Sequence, residues 1–171
     1  MARLHYFAYG SNMHLERLRL RVPSRRVLGV ARLDGHRLEF CKRGRDGSAK
    51  CSILDTGVSA DVAYGVLFEI AAAERVDLDA AEGLGAGYDL REVRVVRGGE
   101  ACTAFTYGAG REYVEAGLSP FDWYKALVLT GARQHGLPET YVRTIEAVAA
   151  IPDPDASRAA AHWAIVAAGE E

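Results

Sequence analysis

Hydrophobic and polar positions in the first half of the chain repeat with the short period of strands. Leu4 to Tyr9 is an apolar and aromatic run that stops at Gly10-Ser11-Asn12. Arg26 to Leu33 and Arg37 to Cys41 are short strand candidates separated by Asp34-Gly35. From Asp61 to Ile70, the residues Val62, Tyr64, Val66 and Phe68 recur at every second position, which puts them on one face of a strand. Tyr88 to Arg97 alternates as well, with Val93 and Val95 opposed by Glu92 and Arg94. Gly98-Gly99 then leads into Glu100 to Tyr107, the pattern of an antiparallel hairpin.

The second half reads with the longer helical period. Short helices are predicted from His14 to Leu20, ahead of Pro23, and from Ala71 to Glu82, stopped by Gly83. Phe121 to His135 carries Trp123, Leu127 and Thr130 at helical spacing and ends at Gly136. Leu137-Pro138 opens a further helix reaching about Ala149, and an alanine-rich helix from Ala156 to Ala168 follows Pro152 and Pro154. Strands and helices do not alternate regularly, so a doubly wound sheet is not expected. The pattern predicts an α+β fold: a mostly antiparallel, barrel-like sheet with flanking helices. Residues 44 to 50 read as a polar, glycine-containing loop, and the alanine-rich tail reads as a packed helix without a functional part.

A length of 171 residues argues for a single domain over residues 1–171 with a real core. A formal net charge of -2 lacks the basic footprint that nucleic-acid binding demands. Cys41, Cys51 and Cys102 are odd in number and form no CxxC pair, so reduced cysteines are expected rather than disulfides or zinc ligands. No stretch resembles a signal peptide or a membrane span, which leaves a cytoplasmic protein with no membrane partner as the expectation. The apolar faces of the last helices pack either inward or on a second copy in a homodimer.

Two places carry candidate chemistry. Tyr9-Gly10-Ser11-Asn12 lies where a strand ends and a helix begins. Successive N–H groups in such a turn can cradle a carboxylate or an oxyanion, and glycine allows positive φ or close approach of a ligand. The plainer reading is a turn in which Ser11 or Asn12 caps the helix. Glu82 sits at a predicted helix C-terminus, where the negative end of the dipole disfavours a carboxylate, a setting suited to an acid/base. The plainer reading is a solvated glutamate. Tyr88 and Tyr124 either present hydroxyls to a pocket or simply pack. Gly83, Gly85 and Gly87 lack the strand-first context and the lysine of a nucleotide loop.

In order, these segments resemble the γ-glutamyl cyclotransferase family of the AIG2-like superfamily. Tyr6-Phe7-Ala8-Tyr9-Gly10-Ser11-Asn12-Met13 is similar to its YGSN motif, and Leu78-Asp79-Ala80-Ala81-Glu82-Gly83 to its LDxxEG segment. Tyr88 follows at the place of a family tyrosine. Tyr124-Lys125, Gly131-Ala132 and Gly136-Leu137-Pro138, with Tyr141, are similar to the C-terminal region, where a tyrosine lines the substrate pocket. The resemblance covers roughly residues 5 to 150. It implies a small mixed, mostly antiparallel β-barrel-like sheet with flanking helices, no cofactor, and a small-molecule γ-glutamyl substrate closed to 5-oxoproline. It also implies Glu82 as the catalytic acid/base and Tyr9, Gly10, Ser11, Asn12, Tyr88 and Tyr124 as substrate-binding residues. An amidohydrolase and a non-catalytic binding module remain as alternatives. The leaving amine is expected to point toward residues 44–50 or 108–119.

Overall fold

In the computed structural model, which describes residues 2–169, strand β1 (Arg3–Ala8) lies beside β5 (Val62–Ala71) along its whole length. Antiparallel pairing continues from β5 to β2 (Arg26–Asp34), then to β6 (Tyr88–Arg97) and β7 (Glu100–Ala109). The ring closes where β7 meets β1 in parallel at Tyr6 and Phe105, so this is a five-stranded, mixed and mostly antiparallel barrel. The glycine-glycine hairpin forms as expected. Gly98 and Gly99 have φ of 57° and 85°, the two positive values that a tight two-residue turn between twisted strands requires.

Two features depart from the sequence pattern. Strand β3 (His36–Arg43) does not join the barrel. It pairs with β4 (Ala49–Asp55) in a separate two-stranded sheet. That strand begins inside the stretch expected to be loop, because Asp46 draws Ser48 and Lys50 into a tight turn that ends as Ala49 starts pairing with Arg43. In β5 the even-numbered face does form one surface, with Tyr64 against Tyr141 and Phe68 against His135. The opposite face is buried too, so residues 65 to 68 are all inaccessible and alternation fades in mid-strand.

Helices cover the barrel. They are α1 (Leu15–Arg21), α2 (Arg75–Glu82), α3 (Asp122–Gln134), α4 (Glu139–Glu146) and α5 (Ala156–Ala168). The fourth stops short of Ala149 because the chain is pulled into a bridge: Ile151 N–H donates to Pro120 O, and Asp122 N–H donates to Ile151 O. The core packs Phe7, Phe68, Leu67 and Ile70 with Met13, Leu78 and Leu127, all essentially inaccessible. Since β7 runs parallel to β1 and β6 antiparallel to both, Ala8, Tyr107 and Tyr88 meet at one end of the barrel.

Candidate active site

At that end the chain leaves β1 and makes a single 3-10 turn, Ser11–Met13. Its first N–H groups have no acceptor within the turn, and no side chain caps it. The helix cap lies further on: His14, not Ser11 or Asn12, accepts the Arg17 N–H through Nδ1. Gly10 has φ -115°, so left-handed backbone is not why glycine stands there. The reason is space. A Cβ at Gly10 would lie 3.1 Å from the Cβ of Cys51 and 3.6 Å from the Tyr124 hydroxyl.

All seven residues singled out in the sequence line one small pocket: Tyr9, Gly10, Ser11, Asn12, Glu82, Tyr88 and Tyr124. Tyr6, Cys51 and Tyr107 complete the wall. Burial holds the hydroxyls of Tyr6, Tyr9, Tyr88 and Tyr124 protonated, far above the ordinary tyrosine range. Burial also pushes the Cys51 thiol up to about 12, which leaves it a poor nucleophile.

Glu82 is the last residue of α2, and Gly83, with φ 67° and ψ 48°, ends the helix behind it. Its side chain is only 14% exposed. Oε1 accepts from Asn12 Nδ2 at 2.9 Å and from Arg21 Nη1 at 2.5 Å, while Arg21 Nη1 also donates to Asn12 Oδ1 at 2.8 Å. Asn12 donates again to the Tyr6 hydroxyl at 2.9 Å. Oε2 has no hydrogen-bond partner among the described residues, which leaves one carboxylate oxygen for a ligand. Behind Glu82, Asp79 accepts from the Tyr107 hydroxyl at 2.6 Å, and Tyr9 donates to the Tyr107 carbonyl. These bonds tie the helix that carries Glu82 to β7 and to the turn.

Tyr88 and Tyr124 are set by the strand that sequence reasoning missed. Cys51 N–H donates to the Tyr124 hydroxyl at 3.0 Å, and Tyr88 donates to the Cys51 carbonyl at 2.6 Å. The two rings therefore clasp one peptide segment of β4. Tyr124→Phe leaves that buried N–H without an acceptor, which is expected to cost about 1–3 kcal/mol. Thermal unfolding of the variant measures this loss. A raised KM with little change in kcat is the companion expectation.

Outside Glu82 the pocket opens into a larger vestibule that shares Ser11, Glu82, Tyr88 and Tyr124 with the inner pocket. Of the two loops proposed to meet the leaving group, residues 44–50 contribute to this wall and residues 108–119 do not. The alanine-rich tail is a packed helix, as its composition predicts, but it also reaches this wall through His162. The imidazole stacks on Trp123 with ring centres 3.7 Å apart, and Trp123 donates to Asp153, which also holds Arg158. Burial, then the cations Arg17, Lys50 and Arg21, push His162 down to about 4 from its ordinary 6.5. Above 6.5 the ring is neutral in both folded and unfolded chains. As pH falls from 6.5 toward 4, only the unfolded chain gains the proton, so stability falls across that window and levels off below it. Denaturation midpoints measured through this range are expected to show the slope, and His162→Gln to flatten it.

Known proteins resemble this chain in sequence and in fold. The profile of the AIG2-like family matches residues 62–145, the span from β5 through Glu82 and Tyr88 to α4. Human γ-glutamylcyclotransferase is 32% identical over 151 residues, covering 84% of this chain and 77% of its own. The mouse γ-glutamylcyclotransferase is 34% identical over 152 residues with the same coverage. A solved γ-glutamyl cyclotransferase structure superposes with a TM-score of 0.82 at 26% identity, covering 98% of this chain and all of that one. The chain belongs to the γ-glutamylcyclotransferase family.

Proposed function

We propose that the protein converts a γ-glutamyl amide into 5-oxoproline and a free amine, with Glu82 moving the protons. The observation that carries this reading is the Glu82 carboxylate: one oxygen is held by Asn12 and Arg21 while the other has no partner among the described residues, at the mouth of a pocket with uncapped backbone N–H groups.

In the reaction the substrate's α-nitrogen attacks its own γ-carbonyl carbon. A nitrogen–carbon bond forms in a five-membered ring, and the bond to the leaving nitrogen breaks. The α-ammonium gives up two protons, and the departing nitrogen gains two as it becomes an ammonium. Glu82 Oε2 takes protons from the first and returns them to the second, a role typically worth ~10²–10⁴-fold. Because nucleophile and carbonyl belong to one molecule, holding the cyclising conformer supplies much of the acceleration; good intramolecular geometry is worth about 7–11 kcal/mol. The tyrosine hydroxyls and the narrow pocket provide that constraint. The N–H groups at Gly10, Ser11 and Asn12 serve the α-carboxylate or the oxyanion, where one preorganised donor is worth about 2.7–4 kcal/mol.

Mass spectrometry of the products from a γ-glutamyl dipeptide tests the reading. It predicts 5-oxoproline and the free amino acid in equal amounts. Free glutamate in place of 5-oxoproline would assign the site to hydrolysis instead, and a dipeptide bound but never consumed would make it a binding module.

A further inference from the structure

The vestibule has a charge that the proton-transfer chemistry does not use. Arg17, Arg21, Lys42, Arg45 and Lys50 line it against only two carboxylates, Asp46 and Glu82. Both acids are already engaged: Asp46 binds Lys50 at 2.8 Å, and Glu82 binds Arg21 at 2.5 Å. Arg17, Lys42 and Arg45 therefore line the cavity with no salt bridge to a carboxylate among the described residues. This is a local concentration, since the whole chain carries a formal net charge of -2.

Two of these cations are costly where they stand. Lys42 is only 7% exposed, and its contact is the Tyr88 ring, 4.6 Å from Nζ to the ring centre. Burial lowers its pKa below the ordinary lysine range. Arg17 has a buried Nε with no hydrogen-bond partner. Burial and the neighbouring Arg21 lower the Arg17 pKa to about 10. Glu82 and Asp46 offset part of this cost through space, but neither makes a salt bridge to Lys42 or Arg17, so a bound anion would stabilise both cations further. The cations come from different elements. Lys42 Nζ would lie 2.7 Å from a Cβ at Gly87, and Arg45 Nη2 3.6 Å from one at Gly83, so both flank the glycine loop that follows Glu82. Arg17 projects from α1, one turn before Arg21.

We infer that the vestibule takes a leaving amine bearing two carboxylates, the chemistry of an acidic amino acid. This rests on the cyclotransferase reading, which puts the leaving nitrogen beside Glu82 and its substituents in the vestibule. A neutral amino acid brings one carboxylate to three unpartnered cations, and an aliphatic amine brings none. A second carboxylate lets more than one of these cations be engaged at once. A polycationic amine is repelled by the same walls.

The test compares γ-glutamyl-glutamate with γ-glutamyl-glutamine, which differ by one charge at nearly constant shape, in both turnover and calorimetric binding to the Glu82→Gln protein. The expected kcat/KM and affinity favour the acidic dipeptide by about tenfold or more. The advantage shrinks as salt is raised. Arg45→Glu, an exposed position, is expected to collapse the ratio between the two dipeptides, a readout that a merely structural change would not move. A ratio near one, or a ratio indifferent to Arg45→Glu, overturns the inference while leaving cyclisation standing. If neither dipeptide yields 5-oxoproline, the cyclotransferase reading fails, and the calorimetric ratio still decides the charge preference.

Discussion

Glu82→Gln removes turnover, by about 10²–10⁴-fold or to background, in a protein that still folds. The substitution keeps an oxygen for Asn12 and Arg21 to donate to, so the contacts that position the side chain survive. What disappears is the ability of the second oxygen to accept and release a proton. Because the amide fills the same space between Asn12, Arg21 and the pocket as the carboxylate it replaces, substrate affinity should change far less than kcat. Circular dichroism and a thermal melt establish that the variant is folded, and a discontinuous assay for 5-oxoproline gives the rate. Turnover within a few-fold of wild type would remove Glu82 from the chemistry.

Gly131→Ala is expected to destabilise the protein although alanine is the better helix former. Gly131 lies in α3 where that helix presses on the turn carrying the site. A Cβ there would stand 2.6 Å from His14 N, 2.7 Å from Met13 C and 2.8 Å from Met13 Cβ. Two of these are backbone atoms and cannot swing aside. The intrinsic gain of alanine over glycine in a helix is about 1 kcal/mol. Overpacking of a rigid contact costs about 1–3 kcal/mol, and with backbone as the obstacle the upper end should prevail. The turn must move to make room, and residues 10–12 move with it. The melting temperature should therefore fall. Activity measured well below the melt should fall too, because the N–H groups and Asn12 no longer meet Glu82 correctly. An unchanged or higher melting temperature would show that α3 and the turn are less tightly opposed than the geometry states.

How far this was readable from the sequence depends on the range of the interactions concerned. Gly83 and Gly98-Gly99 mark a helix end and a hairpin because local backbone geometry dictates glycine there, and both stand where the pattern put them. The barrel follows from strands whose faces alternate. By contrast, the pattern conceals β4: its first residues lie in a polar turn stapled by Asp46, and residues 51 to 53 are buried consecutively, without alternation. With that strand hidden, Cys51 and its bonds to Tyr88 and Tyr124 were hidden too, although both tyrosines were legible as candidates. Arg21 meets Glu82 across 61 positions of sequence, and nothing in either neighbourhood announces the other. The vestibule is the extreme case. Arg17 lies on α1, Lys42 on β3 and Arg45 in the turn after it, and only the folded chain brings them to one cavity. Gly10 shows the reverse. Its place in the motif was legible, but its reason, close approach to Cys51, required the three-dimensional neighbours.

The central claim is that the substrate's own nitrogen, and not water, attacks the γ-carbonyl. Turnover of a γ-glutamyl dipeptide in heavy-oxygen water tests it most directly. Intramolecular attack predicts a product with the mass of unlabelled 5-oxoproline. A product carrying one heavy oxygen in its newly formed carboxylate, as free glutamate, would contradict the account and make Glu82 the base of a hydrolase.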